Sequence, residues 1–167
     1  AVSGADDIYA SAKHGNREFV CSETGRTGKT RTMIWQAPGS TEPHPALLRH
    51  RNKLIKRRIR PFNDNNWWQW GRGYPETDAP RLYVNGKTRQ SRPFFIHPCP
   101  HFDGAVLALF PNNQAVDLDA LCAAMNEVDW AELGFVCDGR YLFTQRSLEN
   151  APLPDSFRRF LPDPTPV

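Results

Sequence analysis

The sequence predicts a single α+β domain, an antiparallel sheet flanked by two or three helices. Short apolar runs alternate with turn pairs such as Asn85-Gly86 and Asp138-Gly139, the pattern of strands joined by tight turns. Two segments, 46–59 and 117–125, instead space their apolar residues at helical intervals. A chain of 167 residues that is 40 % hydrophobic and 23 % charged suffices for one core.

From Ser3 to Trp35 short apolar pieces (Ile8-Tyr9, Phe19-Val20-Cys21, Met33-Ile34-Trp35) sit among Gly, Ser and Thr, which predicts short strands or extended loops. Gly25-Arg26-Thr27-Gly28-Lys29-Thr30 resembles a phosphate loop. The motif needs glycine where Glu23 stands, and no apolar strand leads in, so a flexible basic loop is expected. Pro43 and Pro45 are placed to open a helix. Leu47, Leu48, Leu54, Ile55 and Ile59 would form its seam, opposite Arg49, Arg51, Lys53, Lys56, Arg57 and Arg58, and Pro61 would end it. Phe62 to Pro80 has no period. Arg81 to Val84 and Pro93 to Ile96 read as strands with Asn85-Gly86 as the turn between them, and Ala105 to Phe110 as a buried strand paired to Phe94-Phe95-Ile96. Asp117 is a suitable N-cap for a helix carrying Leu118, Leu121, Cys122 and Met125. Another turn follows at Trp130 to Leu133, then a hairpin through Asp138-Gly139. The domain is expected over 1–160, with 161–167 an extended or disordered Pro-rich tail.

Charge is sorted along the chain. Residues 1–48 are neutral, residues 49–92 carry net +9, and residues 93–167 carry net −6. A localised cationic segment on a mildly acidic body suits a polyanion partner. No run approaches the roughly 18 apolar residues of a membrane span. The opening residues lack the features of a signal peptide. Cys21, Cys99, Cys122 and Cys137 are unevenly spaced, as expected for reduced thiols in a cytoplasmic protein.

Sequence-specific DNA binding needs cations for the backbone and forked or amide side chains for base edges. Arg49, Arg51, Lys53, Lys56, Arg57 and Arg58 are the phosphate candidates. Asn63, Asn65, Asn66, Gln69, Arg72, Lys87, Arg89 and Arg92 are the base-reading candidates. A single loop Asn is more often turn chemistry than a base contact, and Trp67, Trp68 and Trp70 more often pack a core than stack on a base. His97-Pro98-Cys99-Pro100-His101 offers three donors where zinc usually takes four, so no metal is assigned. A metal-dependent nuclease would use Glu76, Asp78 and Lys87, but Asn85 stands where the second carboxylate belongs. An RNA-binding module, which tryptophans exposed for base stacking would favour, is the weaker alternative. No Gly-x-Ser-x-Gly or Gly-x-Gly-x-x-Gly element is present, so no catalytic residue is assigned.

Val2-Ser3-Gly4-Ala5-Asp6-Asp7-Ile8-Tyr9 is followed in order by Leu48 to Arg60, Asn66-Trp67-Trp68-Gln69-Trp70, Pro80 to Val84 with Lys87-Thr88-Arg89, and Arg146 to Pro154. In these stretches the chain resembles the C-terminal target-recognition region of restriction–modification DNA adenine-N6 methyltransferases, the first being similar to the opening of those regions. The likeness covers roughly residues 2–157, and it rests on order and spacing. The Asn-Pro-Pro-Tyr tetrapeptide and the Phe-x-Gly-x-Gly loop of such enzymes are both missing from this sequence. The resemblance therefore implies a double-stranded DNA recognition part, with adenine flipping and S-adenosylmethionine left to a catalytic domain of the same parent chain or a partner subunit. It implies no cofactor in this chain.

Overall fold

The computed structural model describes residues 14–71 and 76–162. The fold is α+β and its named strand pairs are all antiparallel, as the sequence predicts. Among the described residues the strands divide among three small sheets. Contacts separate the described residues into two units, 14–19 with 31–71 and 76, and 20–30 with 77–162. Among the described residues no helix is long and apolar enough to cross a membrane.

In the first unit β1 (Arg17–Phe19) pairs with β2 (Arg31–Met33), Glu18 opposite Thr32. Asn16 extends the pairing, its side chain accepting from Trp35 N at 2.7 Å and donating to Trp35 O at 3.1 Å. Gly15 is needed there because a Cβ would meet the Thr32 methyl at 2.5 Å. The expected helix over 46–59 is replaced by a 3-10 turn, Pro45–His50, and a single α turn, α2 (Arg51–Leu54). The apolar spacing explains the break. Between Leu48 and Leu54 the seam positions hold Arg51 and Asn52, so the stripe is interrupted. Leu47 and Leu54 pack with Ile34, Trp67 and Trp68, whereas Leu48 and Ile59 stay 56 % and 52 % exposed. Pro45 sits at the start, and the His44 ring accepts from Ala46 N at 3.1 Å.

In the second unit β3 (Leu82–Asn85) is the middle strand between β5 (Phe94–Phe95) and β6 (Val106–Leu109). All four β3 residues are buried. Leu82 and Val84 face a core with Phe94, Met125, Trp130, Phe135 and Phe143, while Tyr83 faces Val20 and Val106. The period-2 pleat sorts them. Two expectations need correction. Phe94-Phe95 and the 106–109 strand do not pair with each other; each pairs with β3. Asn85-Gly86 is not a hairpin turn, because Gly86 passes the chain directly into β4 (Lys87–Thr88), which belongs to another sheet. Gly86 is anchored by its N–H to Ala105 O and its carbonyl to Phe143 N, both at 2.9 Å.

The helix α3 (Leu118–Glu127) follows the prediction, with Asp117 accepting from Ala120 N at 3.0 Å and Leu118, Leu121, Cys122 and Met125 turned to the core. Its Asn126 donates to Phe94 O and accepts from Phe94 N, both at 2.9 Å, so one amide stands in for a strand beside β5. The hairpin of β7 (Val136–Cys137) and β8 (Arg140–Leu142) also forms as expected. Asp138 and Gly139 both take positive φ, 55° and 72°, as a type I′ turn demands. The segment expected to be a flexible basic loop instead holds a helical turn, α1 (Thr24–Thr27), ended by Gly28 at φ 70°. Buried Thr24 fixes it, its hydroxyl accepting from Cys21 N and donating to Lys29 O, both at 2.9 Å. Near the C-terminus, α4 (Gln145–Glu149) opens on a Thr144–Ser147 capping box, and Asp155–Phe160 forms a 3-10 helix. The opening residues of the resemblance, Arg72, and most of the expected tail lie outside the described residues.

Candidate nucleic-acid interface

The cations of residues 49–60 belong to the first unit and those of 87–92 to the second. In the first, Arg49, Arg51, Lys53, Lys56 and Arg58 are exposed. Their exposure follows from the fold: Leu47 and Leu54 take the buried side of the turns, which leaves the polar positions outward. Arg49 is held by its Nε donating to the His50 ring at 3.0 Å, and Arg51 pairs with Asp64. As a surface ion pair the latter contributes little to stability.

Arg57 departs from the phosphate assignment. Its half-buried guanidinium donates from Nε to Leu54 O at 2.9 Å, and from Nη2 to Trp67 O at 2.7 Å and Gln69 O at 2.9 Å. It also lies over the Phe62 ring at 4.0 Å. Arg60, which the sequence does not single out, approaches the other members of this knot. Its Nη2 donates to Gln69 Oε1 at 3.1 Å and to Trp70 O at 3.4 Å, with its guanidinium 4.7 Å from the Phe62 centroid. The two arginines thus hold the 67–70 loop by its carbonyls. No local sequence signal marks such a role, since every residue offers a carbonyl.

The base-reading candidates divide as well. Gln69 is only 8 % exposed, and its amide is engaged by Ser40 O at 3.3 Å and by Arg60, so it is corrected to a structural residue. Asn63 and Asn66 shape their own turn: Asn66 Oδ1 accepts from Asn63 N at 2.7 Å, and Asn63 Oδ1 from Asn65 N at 2.9 Å. Asn63 and Asn65 remain exposed while Asn66 is half-buried. Lys87, Arg89 and Arg92 are exposed on the second unit. Arg92 lies near Cys122, whose thiol burial pushes up, an effect the Arg92 charge opposes and Asp119 reinforces.

Trp67 and Trp68 form an edge-on pair in the first unit's core, 5.6 Å between centroids, and Trp68 Nε1 donates to Ser40 Oγ at 3.0 Å. Trp70 stacks on Phe19 at 4.8 Å and 10°. These rings are committed to packing, which removes the exposed tryptophans that favoured an RNA module. Glu76 is bound at 2.8 Å by Arg17, itself stacked 3.7 Å over Trp35, so one proposed nuclease carboxylate serves an ion pair. His97, Cys99 and His101 form a local turn in which His97 Nδ1 accepts from Cys99 N at 3.1 Å and Cys99 Sγ lies 3.5 Å from His101 O. Among the described residues no three His, Cys, Asp or Glu side chains gather as metal ligands. No family model matches the chain, and no curated protein and no solved structure shows significant similarity to it.

Proposed function

We propose that this chain is a double-stranded DNA recognition domain of the adenine-N6 methyltransferase kind, acting in the cytoplasm. In this reading the methyl donor and the chemistry sit on a separate catalytic domain or subunit. One observation carries it: Arg49, Arg51, Lys53, Lys56 and Arg58 all stand exposed within ten residues, and Arg51 pairs with Asp64. Such a density of outward cations, held on turns anchored by a tryptophan core, suits a line of phosphates. Asn63, Asn65, Lys87 and Arg89 supply exposed groups of the kinds that read base edges.

Titrating short duplexes with the full chain over a salt series tests the reading. Binding should weaken steeply with salt, each phosphate contact adding about 0.9 to the log–log slope. Selection from random duplexes should return a preferred sequence. Absence of duplex binding at low salt overturns the proposal. Preference for single-stranded RNA, or magnesium-dependent plasmid cleavage lost in Glu76→Ala, would replace it with one of the rival readings.

A further inference from the structure

Arg140 lies in the stretch whose net charge is −6, so charge counting along the chain gives it no role. The register of the β4–β8–β7 sheet changes that. Lys87 is directly opposite Leu142, and Cys137 directly opposite Arg140. Directly opposed residues share a face, and so do residues two apart on one strand. One face of the sheet therefore carries Lys87, Leu142, Arg140 and Cys137, the other Thr88, Tyr141 and Val136. Tyr141 packs against the core that contains Phe143 and stacks on that ring at 5.9 Å, so its face turns inward there, with Val136 at the sheet's edge left exposed. The face with Lys87 and Arg140 is turned outward; Lys87 and Cys137 are exposed on it and Arg140 is half-buried. Arg89, also exposed, follows at the end of β4.

We propose that this outward sheet face is a docking surface for the phosphate backbone of duplex DNA, with Arg140 and Lys87 as its phosphate ligands. Charge complementarity selects the occupant. None of the residues in the three strands is acidic, although the 93–167 stretch around two of them holds ten acidic residues against four basic ones. The acidic residue adjoining the face is Asp138, at the turn. Diagonal neighbours across paired strands stand roughly 7–8 Å apart. A duplex presents on each strand a phosphate for about every 3.4 Å of helix axis, a density that serves two cations at this separation. This surface rests on the proposed DNA-binding function, moves Lys87 from base reading to backbone contact, and adds a phosphate-contact region on the unit that lacks the 49–60 cations.

The test uses the full chain and two readouts. In a salt series with short duplexes, Arg140→Ala should lower the log–log slope by about 1 and weaken low-salt binding several-fold, and Arg140→Lys should restore the slope because phosphate asks only for charge. In the wild-type protein, duplex should slow alkylation of Cys137 by N-ethylmaleimide several-fold, a readout that does not depend on a variant folding. If the wild type binds duplex but Arg140→Ala keeps the full slope, or Cys137 labels at its free rate in the complex, this inference is overturned while the DNA-binding reading stands. Failure of the wild type to bind duplex overturns both.

Discussion

Arg57 of the first unit, in an irregular segment, and Arg140 of the second, on strand β8, do different work. The Arg57 guanidinium turns inward, where three backbone carbonyls and the Phe62 ring take up its donors and its charge. Arg140 stands on a pleated face whose other side packs the core, so its charge is directed outward. Arg81 is the extreme of the first kind. At 5 % exposure it donates to Ala79 O at 3.1 Å, Pro100 O at 2.9 Å and Thr77 O, and lies 4.7 Å from the Phe110 centroid. The difference teaches that a run of net positive charge mixes struts with contacts. What separates them is whether a loop brings its carbonyls within reach of the guanidinium.

Substitution should expose that division, most strongly where burial is deepest. Arg81→Met removes the donors of three carbonyls beneath the surface and should cost about 3 kcal/mol, read as a lower urea midpoint at unchanged slope. An unaltered midpoint would mean that the carbonyls find water. Arg57→Ala, only half-buried, should cost about 2 kcal/mol and loosen the 67–70 loop, visible as faster amide exchange there. If Arg57→Ala instead left stability intact and reduced the salt slope of duplex binding, Arg57 would rejoin the contacts. Lys56→Ala and Arg58→Ala should do the reverse: stability within about 0.5 kcal/mol of wild type, and about 1 unit off the salt slope for each.

The same contrast marks what the sequence discloses. The helix α3 is legible because Leu118, Leu121, Cys122 and Met125 define one face and Asp117 caps it; both signals are local. The β7–β8 hairpin is legible because Asp-Gly tolerates the two positive φ angles of its turn. The order of the β5–β3–β6 sheet is not, since Phe94-Phe95 and Val106–Leu109 are equally apolar and only burial on both faces makes β3 the middle strand. The first unit's helix is over-read because Leu48 and Ile59 fit a helical seam yet remain exposed. Among the candidate contacts, the exposed Lys56 and Arg58 follow from amphipathic spacing. Arg57, Gln69 and Arg140 depend on which segments meet across the fold, and residue type does not encode that.

Arg92 gives the finest test of the division, because it is exposed yet its charge acts on a neighbour in the fold. Burial raises the Cys122 pKa above the ordinary thiol range, and Arg92 works against that rise. A thiol whose folded pKa is raised keeps its proton when the unfolded chain has lost its own. The unfolded state then binds fewer protons, so stability falls as pH climbs past about 8.5, the ordinary thiol value. Removing Arg92 should push Cys122 higher still. In a Cys137→Ser background, Arg92→Ala should therefore shift the pH profile of Cys122 alkylation to more alkaline values and slow the reaction at fixed pH, because only the thiolate attacks. The alkaline loss of stability should grow in the same variant. An unchanged alkylation profile would show that Arg92 spends its charge on solvent, and would return it to the outward group with Lys87 and Arg140.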